Sequence, residues 1–170
     1  FGLAAADVQQ GVFDNLLFDL MQARGDGPFV TTGIGSTEHL PIVLSEHGRD
    51  DIVWQWLQRD AYPGYGFMQR CGATAIWECW EQRVDHGMNA HNHTGLSGIG
   101  TWLMQYLVGI RVEPGPEPLF RLRPAIHLPL ASLDTRWQSR WGEIEMKWET
   151  TDDGKRLSVT IPPGCRACLA

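Results

Sequence analysis

The chain has no run of Lys or Arg, no long apolar stretch and only four cysteines, and each shortage removes a class of function. With a formal net charge of −6 and its cations scattered, it offers no basic track for phosphates, so nucleic acid is not expected as a partner. The most apolar stretches are broken by Asp, Gln or Gly before they reach the ~18 consecutive residues that a membrane span needs. No membrane is expected either, and the chain reads as soluble, cytoplasmic or secreted. Cys165 and Cys168 make a single C-x-x-C without the second pair or matched histidines that a structural zinc site requires. Cys71 and Cys79 fit either a pair across a hairpin or two separate thiols. The opening residue is Phe1, not Met, and a helical pattern follows almost at once, which suggests a piece of a longer polypeptide.

What is present is an ordinary globular composition: 170 residues, 43% hydrophobic and 20% charged, enough for one domain or two small ones. Residues 7–24 place Val8, Val12, Leu16 and Leu20 on one stripe, flanked by Phe13, Leu17 and Met21, with Gly25 as the C-cap. A second helix is expected from Ser36 or Thr37 as N-cap to Gly48, kinked by Pro41, and a third from Asp50 or Asp51 to Tyr62, burying Ile52, Val53, Trp56 and Leu57. Residues 65–80 lose the helical period and read as an irregular hairpin turning at Cys71-Gly72. Helix resumes near residue 94, where Leu96, Ile99, Leu103, Leu107 and Ile110 recur at spacings of three and four.

The run Pro114-Gly115-Pro116-Glu117-Pro118 ends the helical part. Beyond it Glu143, Glu145, Lys147 and Glu149 alternate with Ile144, Met146 and Trp148, and Leu157, Val159 and Ile161 form a matching face after the turn at Asp152-Asp153-Gly154. With 119–123, 132–140 and 165–169 this makes enough short strands for a small antiparallel sandwich. The expected fold is mainly α then β, with domains over 1–111 and 112–170.

The chemistry concentrates in Ala73-Thr74-Ala75-Ile76-Trp77-Glu78-Cys79-Trp80 and, a little further on, Met88-Asn89-Ala90-His91-Asn92-His93. Aromatic faces pack on the C–H faces of a pyranose and exclude water around a carboxyl group between them. Glycoside hydrolysis needs two such groups, so Glu78 requires a partner. Glu81 and Asp85 are the nearest, but on an extended 75–80 segment Glu78 and Glu81 point to opposite faces, which places the partner elsewhere. By spacing alone, Glu78 fits both a catalytic acid and a half-exposed Glu on a Trp-rich strand. Tyr65, Phe67, Trp77 and Trp80 are the candidate sugar platforms, while Trp54, Trp56, Trp102, Trp137, Trp141 and Trp148 fall on apolar periods and read as core. His91-Asn92-His93, with Asp85 and His86 nearby, lacks a third well-spaced ligand, and Gly33-Ile34-Gly35 is followed by Glu38 where a phosphate loop needs glycine. No metal or cofactor is expected.

Several segments carry a resemblance: Thr31-Thr32-Gly33, the Leu40-Pro41 helix ending Leu44-Ser45-Glu46-His47-Gly48-Arg49, Tyr62-Pro63-Gly64-Tyr65-Gly66-Phe67-Met68, Gly72 to Trp80, Asn92-His93 with Gly95 to Leu103, and Val108-Gly109-Ile110. Nearly end to end, they resemble the C-terminal part of the α-L-rhamnosidases of glycoside hydrolase family 78, whose catalytic barrel of six helical hairpins precedes a β-sandwich. The resemblance implies a partial six-hairpin barrel and a β-sandwich, with Glu78 as general base of an inverting mechanism and His93 in contact with the sugar. Trp77, Trp80, Tyr65, Phe67 and Asn92 are the accompanying substrate-binding candidates. It also implies a rhamnose-containing glycoside or polysaccharide as substrate. The family's acidic, Gly- and Trp-containing general-acid motif has no counterpart in residues 1–72, so the acid is expected in a missing N-terminal part of the same polypeptide, and the chain alone is expected to be inactive. Tyr65 stands where the family often has Trp, Cys79 where a larger polar or basic residue is common, and Thr94-Gly95 where bulkier residues flank the histidine. Another six-hairpin glycosidase, or a non-catalytic carbohydrate-binding or structural remnant, are the alternatives.

Overall fold

The structure is a computed structural model that describes residues 3–84, 87 and 90–170. Asp85, His86, Met88 and Asn89, singled out above, lie outside the described residues. The chain forms two compact units, Phe1–Leu40 with Asp51–Ser97, and Pro41–Asp50 with Gly98–Ala170.

In the first unit, helix α1 (Gln9–Met21) buries Phe13 and Leu20 and half-buries Leu16 and Leu17. Val8 and Val12, expected on the buried stripe, are exposed, because the larger Phe13 and the leucines at i+3, i+4 and i+7 from it set the inward face. The helix stops at Met21, where the N–H groups of Gln22 and Ala23 both donate to Phe18 O. Gly25 lies beyond this end, so it shapes the following turn and does not cap the helix. The chain then doubles back, with Phe29 N–H on Leu20 O, and buries Val30.

Helix α3 (Asp50–Gln58) buries Ile52, Val53 and Trp56 and leaves Leu57 half-buried. Residues 65–70, expected as the first strand of a hairpin, instead form a short helix, α4 (Tyr65–Arg70), that buries Tyr65 and Met68 one turn apart. Six residues are too few to display a 3.6-residue period, which is why the helix escapes a pattern search. The rings of Trp56, Tyr65 and Trp80 close on one another with centroids 5.0, 5.2 and 5.5 Å apart, an aromatic cluster under the residues that follow. Among the described residues, 71–97 hold no regular strand.

Helix α2 (Leu40–Glu46) begins at Leu40, not at Ser36 or Thr37. The fully buried Thr37 turns its hydroxyl back 2.8 Å to the carbonyls of Thr32 and Gly33, so it braces that loop and does not cap the helix. Pro41 falls in the first turn, where its missing N–H has no helical acceptor to lose, and so it does not act as an interior kink. At the other end Arg49 N–H bonds Leu44 O and Gly48 N–H bonds Ser45 O, the paired bonds of a Schellman stop around Gly48.

In the second unit, α5 (Gly98–Trp102) runs into one π-helical turn, Leu103–Leu107, where Val108 N–H reaches back five residues to Leu103 O at 2.8 Å. The shift buries Leu107, Val108 and Ile110 together and leaves Leu103 half-buried. Trp102 is fully buried, with its indole N–H 2.7 Å from Ser45 Oγ.

Two three-stranded sheets follow. One has the order β1 (Ile110–Val112), β2 (Leu119–Leu122), β6 (Arg166–Leu169), and the other β3 (Ser132–Ser139), β4 (Gly142–Thr151), β5 (Gly154–Thr160). All pairings are antiparallel except β2 with β6, which run parallel from Leu119 opposite Arg166. The alternation read from the sequence holds in β4, where Ile144, Met146 and Trp148 are buried. Phe120 and Leu122 meet Ile144 and Met146 in one core with Val108 and Ile110, and Trp141 stands edge-on to Phe120 at 5.6 Å.

Candidate active site

The 71–97 segment makes up for its lack of strands with two backbone bonds: Glu78 N–H donates to Ala90 O, and His93 N–H to Ile76 O, each at 2.8 Å. These tie residues 76–78 to 90–93, so main-chain geometry holds the Glu78 and His93 segments side by side, Glu78 opposite Ala90 and His93 opposite Ile76. The Glu78 carboxylate is itself held, Oε2 accepting the Ala90 N–H at 2.8 Å. His93 Nδ1 accepts the Gly95 N–H at 2.9 Å, which leaves the proton of the neutral ring on Nε2 and makes that nitrogen a donor. Gly95 has no room for a side chain, because a Cβ there would overlap Ile34 and come within 2.9 Å of His93 Nδ1.

Glu78 opens on a pocket of about 310 Å³ formed by residues 31–34, Tyr62, 78–81 and Leu96. That volume sits at the small-ligand end of the usual range. Of the aromatic candidates, Trp80 lines it, buried to 5% exposure and with its indole N–H on Thr32 O at 3.0 Å. Tyr65 is buried beneath, its ring in the aromatic cluster and its hydroxyl donating to Leu96 O at 2.7 Å; burial pushes that phenol well above its ordinary range. Trp77 is 2% exposed and stacks on His91 at 4.8 Å, while His91 Nε2 lies 2.8 Å from Arg83 O. Phe67 is half-buried, edge-on to Tyr62 and Trp77, and Asn92 is exposed. The acid therefore lies beside one indole that walls the pocket and one that packs against the histidine loop.

Sequence reasoning set Glu81 aside on the geometry of an extended strand. The segment bends instead, and Glu78 and Glu81 line the same pocket. Tyr62 was missed: its hydroxyl donates to Glu81 Oε1 at 3.0 Å, and burial first, then that bond and the negative charge of Glu81, push its phenol upward. Cys79 also lines the pocket, with its thiol pushed upward mainly by burial and next by the charge of Glu81. The four cysteines are thiols and not disulfides, which resolves the two readings of Cys71 and Cys79. Among the described residues, no group of three or more His, Cys, Asp or Glu comes together to hold a metal ion. A second opening, about 330 Å³, lies on the polar face of β3–β5, but its charges are paired as Lys147 with Asp134 and Arg156 with Glu149, and it holds neither a histidine nor a thiol.

A helical part carrying a carboxylate pocket and followed by β-sheets is the order of parts that the sequence resemblance implies for a six-hairpin glycosidase. Residues 1–107 match the model of the bacterial alpha-L-rhamnosidase 6 hairpin glycosidase domain, and residues 118–170 that of the bacterial alpha-L-rhamnosidase C-terminal domain. The chain belongs to the bacterial alpha-L-rhamnosidase family. It is 27% identical to an alpha-L-rhamnosidase of Formosa agariphila over 98% of this chain and 18% of that protein, and 31% identical to one of Alteromonas sp. (strain LOR) over 77% and 15%. Among solved structures it resembles the alpha-L-rhamnosidase of Dictyoglumus thermophilum, at a TM-score of 0.87 and 29% identity, over 98% of this chain and 19% of that one. It shares the fold of the Streptomyces avermitilis enzyme solved with L-rhamnose, at a TM-score of 0.85 and 23% identity, over 98% of this chain and 16% of that one. The fold is thus part of a six-hairpin domain followed by a β-sandwich, and the chain spans less than a fifth of the length of the curated relatives it matches.

Proposed function

We propose that the chain is the base-bearing part of an inverting α-L-rhamnosidase, which removes terminal non-reducing α-L-rhamnose from glycosides or polysaccharides. The observation that supports this most directly is the Glu78 carboxylate, held by Ala90 N–H at the wall of a sugar-sized pocket. Glu78 accepts a proton from a water on the face of the ring opposite the leaving group, and that water attacks the anomeric carbon with inversion. The general acid protonates the leaving oxygen and is assigned to the part of the relatives' length that this chain does not span. Room for the water sets the two carboxyl groups ~6.5–9.5 Å apart. His93, with Nε2 as donor, meets an oxygen of the sugar; Trp80 and the exposed Asn92 contact it as well. Tyr65, Phe67 and Trp77 support the same surface, by the packing described above.

The test is Glu78→Gln in the full-length polypeptide, assayed on an aryl α-L-rhamnoside. Turnover is expected to fall by about 10²- to 10⁴-fold with little change in binding, as for loss of a general base. Near-normal turnover would overturn the assignment. The isolated 170-residue chain is expected to show none.

A further inference from the structure

We propose that Glu81, braced by Tyr62, is a second sugar-contacting carboxylate of this pocket, accepting protons from the hydroxyls of the bound pyranose while Glu78 acts on the water. The inference rests on the reading of the pocket as the sugar site. Both carboxylates line it, and the two differ in how they are held. Glu78 is oriented by a backbone N–H, whereas Glu81 Oε1 takes the single proton of the Tyr62 hydroxyl at 3.0 Å. A carboxylate used as an acceptor by a neighbouring hydroxyl is poorly suited to supply a proton to a leaving group, which separates Glu81 from the missing acid.

It is well suited to binding. A carboxylate has about four acceptor sites, and Tyr62 occupies one. Two adjacent hydroxyls of a pyranose can share the others, and hydrogen bonds to a charged acceptor are stronger than neutral ones. The brace is itself fixed: the Tyr62 ring meets Phe29 edge-on at 6.2 Å and Phe67 at 5.9 Å. A phenol is protonated and able to donate throughout the neutral range, and the upward push on this one moves its ionisation further from it. The negative charge also suits a transition state that is positive at the anomeric carbon, so part of the contact strengthens as the bond breaks.

The experiment measures L-rhamnose binding by calorimetry, and kcat and KM on an aryl α-L-rhamnoside, for the full-length polypeptide with Glu81→Gln, Tyr62→Phe, both together, and Glu78→Gln. Glu81→Gln is expected to raise the Kd for L-rhamnose about tenfold or more, with KM rising alongside. Tyr62→Phe is expected to raise both about threefold and to lower kcat by less than Glu81→Gln does, since it acts by positioning Glu81. The double variant should then be no worse than Glu81→Gln alone, because the brace has lost the charge it holds. Wild-type Kd values for Glu81→Gln and Tyr62→Phe, with turnover still lost in Glu78→Gln, would overturn this inference and leave the base assignment standing. Normal turnover in Glu78→Gln would overturn both. Melting temperatures near wild type establish that the exposed Glu81 and Tyr62 were changed in a folded protein.

Discussion

Glu78 and Ala90 exchange two hydrogen bonds: the N–H of Glu78 donates to the carbonyl of Ala90, and the N–H of Ala90 donates to Oε2 of Glu78, both at 2.8 Å. Glu78, the proposed base, is thereby fixed at its backbone and at its carboxylate by one residue of the loop that carries His93. Glu78→Asp keeps the charge but withdraws the carboxylate by one methylene, away from Ala90 N–H and from the water that the proposed mechanism has it activate. A displacement of that size at a reacting group costs about 10²-fold in rate. Steady-state kinetics of the full-length polypeptide should show kcat lowered by that order and KM changed by less than about threefold. An equal loss in KM would mean that the carboxylate binds sugar and does not act on water.

Gly95 is the point where Ile34 and His93 share one space. A methyl group there overlaps Ile34 and presses on His93 Nδ1, so Gly95→Ala should destabilise the protein by about 1–3 kcal/mol, as overpacking does, and weaken L-rhamnose binding by displacing the imidazole. Ile34→Ala, combined with it, removes the obstructing atoms and should recover most of the melting temperature. If Gly95→Ala alone melts and binds as wild type, the close approach is not a constraint.

Legibility in the sequence followed the range of the forces involved. In β4 the period-two alternation of Ile144, Met146 and Trp148 is set by one buried face, and it was readable residue by residue. The stripe of α1 was readable in period but not fully in phase: Leu20 is buried as expected, while Val8 and Val12 yield to the flanking Phe13 only through tertiary packing. Helix α4 and the π-helical turn after Trp102 are too short to carry a period, and β2 beside β6 joins residues more than forty positions apart. In the site, Glu78 and the His91/His93 pair stood out by residue type, and the family resemblance selected Glu78 as base and His93 as sugar contact. The bonds that orient each of the two side chains use backbone N–H groups of Ala90 and Gly95, which leave no trace in residue identity, and Tyr62 meets Glu81 only because the 71–97 segment bends.

Gly109 tests the second unit in the same way. Its φ is +79°, it accepts the Arg123 N–H at 2.8 Å, and a Cβ there would overlap the Arg123 carbonyl and sit 2.5 Å from Pro124 N. Left-handed strain and backbone overlap together should make Gly109→Ala cost about 3 kcal/mol or more. Gly115, with open space around it, is the control: Gly115→Ala should change stability by less than about 0.5 kcal/mol. Chemical denaturation of the same polypeptide compares the two, and similar midpoints would show that the chain relaxes around Gly109.

Cys79 reports on the pocket by its chemistry. Burial, then the negative charge of Glu81, raises its thiol above the ordinary value, outweighing the opposing hydrogen bond from the Glu81 backbone and the charge of Arg83. At any pH below that raised value the thiolate fraction is smaller than for an unperturbed cysteine, and the thiolate is what reacts. Alkylation of Cys79 by iodoacetamide should therefore be slower than that of a free cysteine thiol at neutral pH, and should keep rising with pH after the free thiol has levelled off. Peptide mass spectrometry separates it from Cys71, Cys165 and Cys168. Since Cys79 lines the same pocket as Glu78, L-rhamnose should slow its modification in the full-length polypeptide, and the alkylated protein should lose turnover because the added group fills the sugar's space. Alkylation at an unchanged rate under saturating L-rhamnose would place the sugar elsewhere.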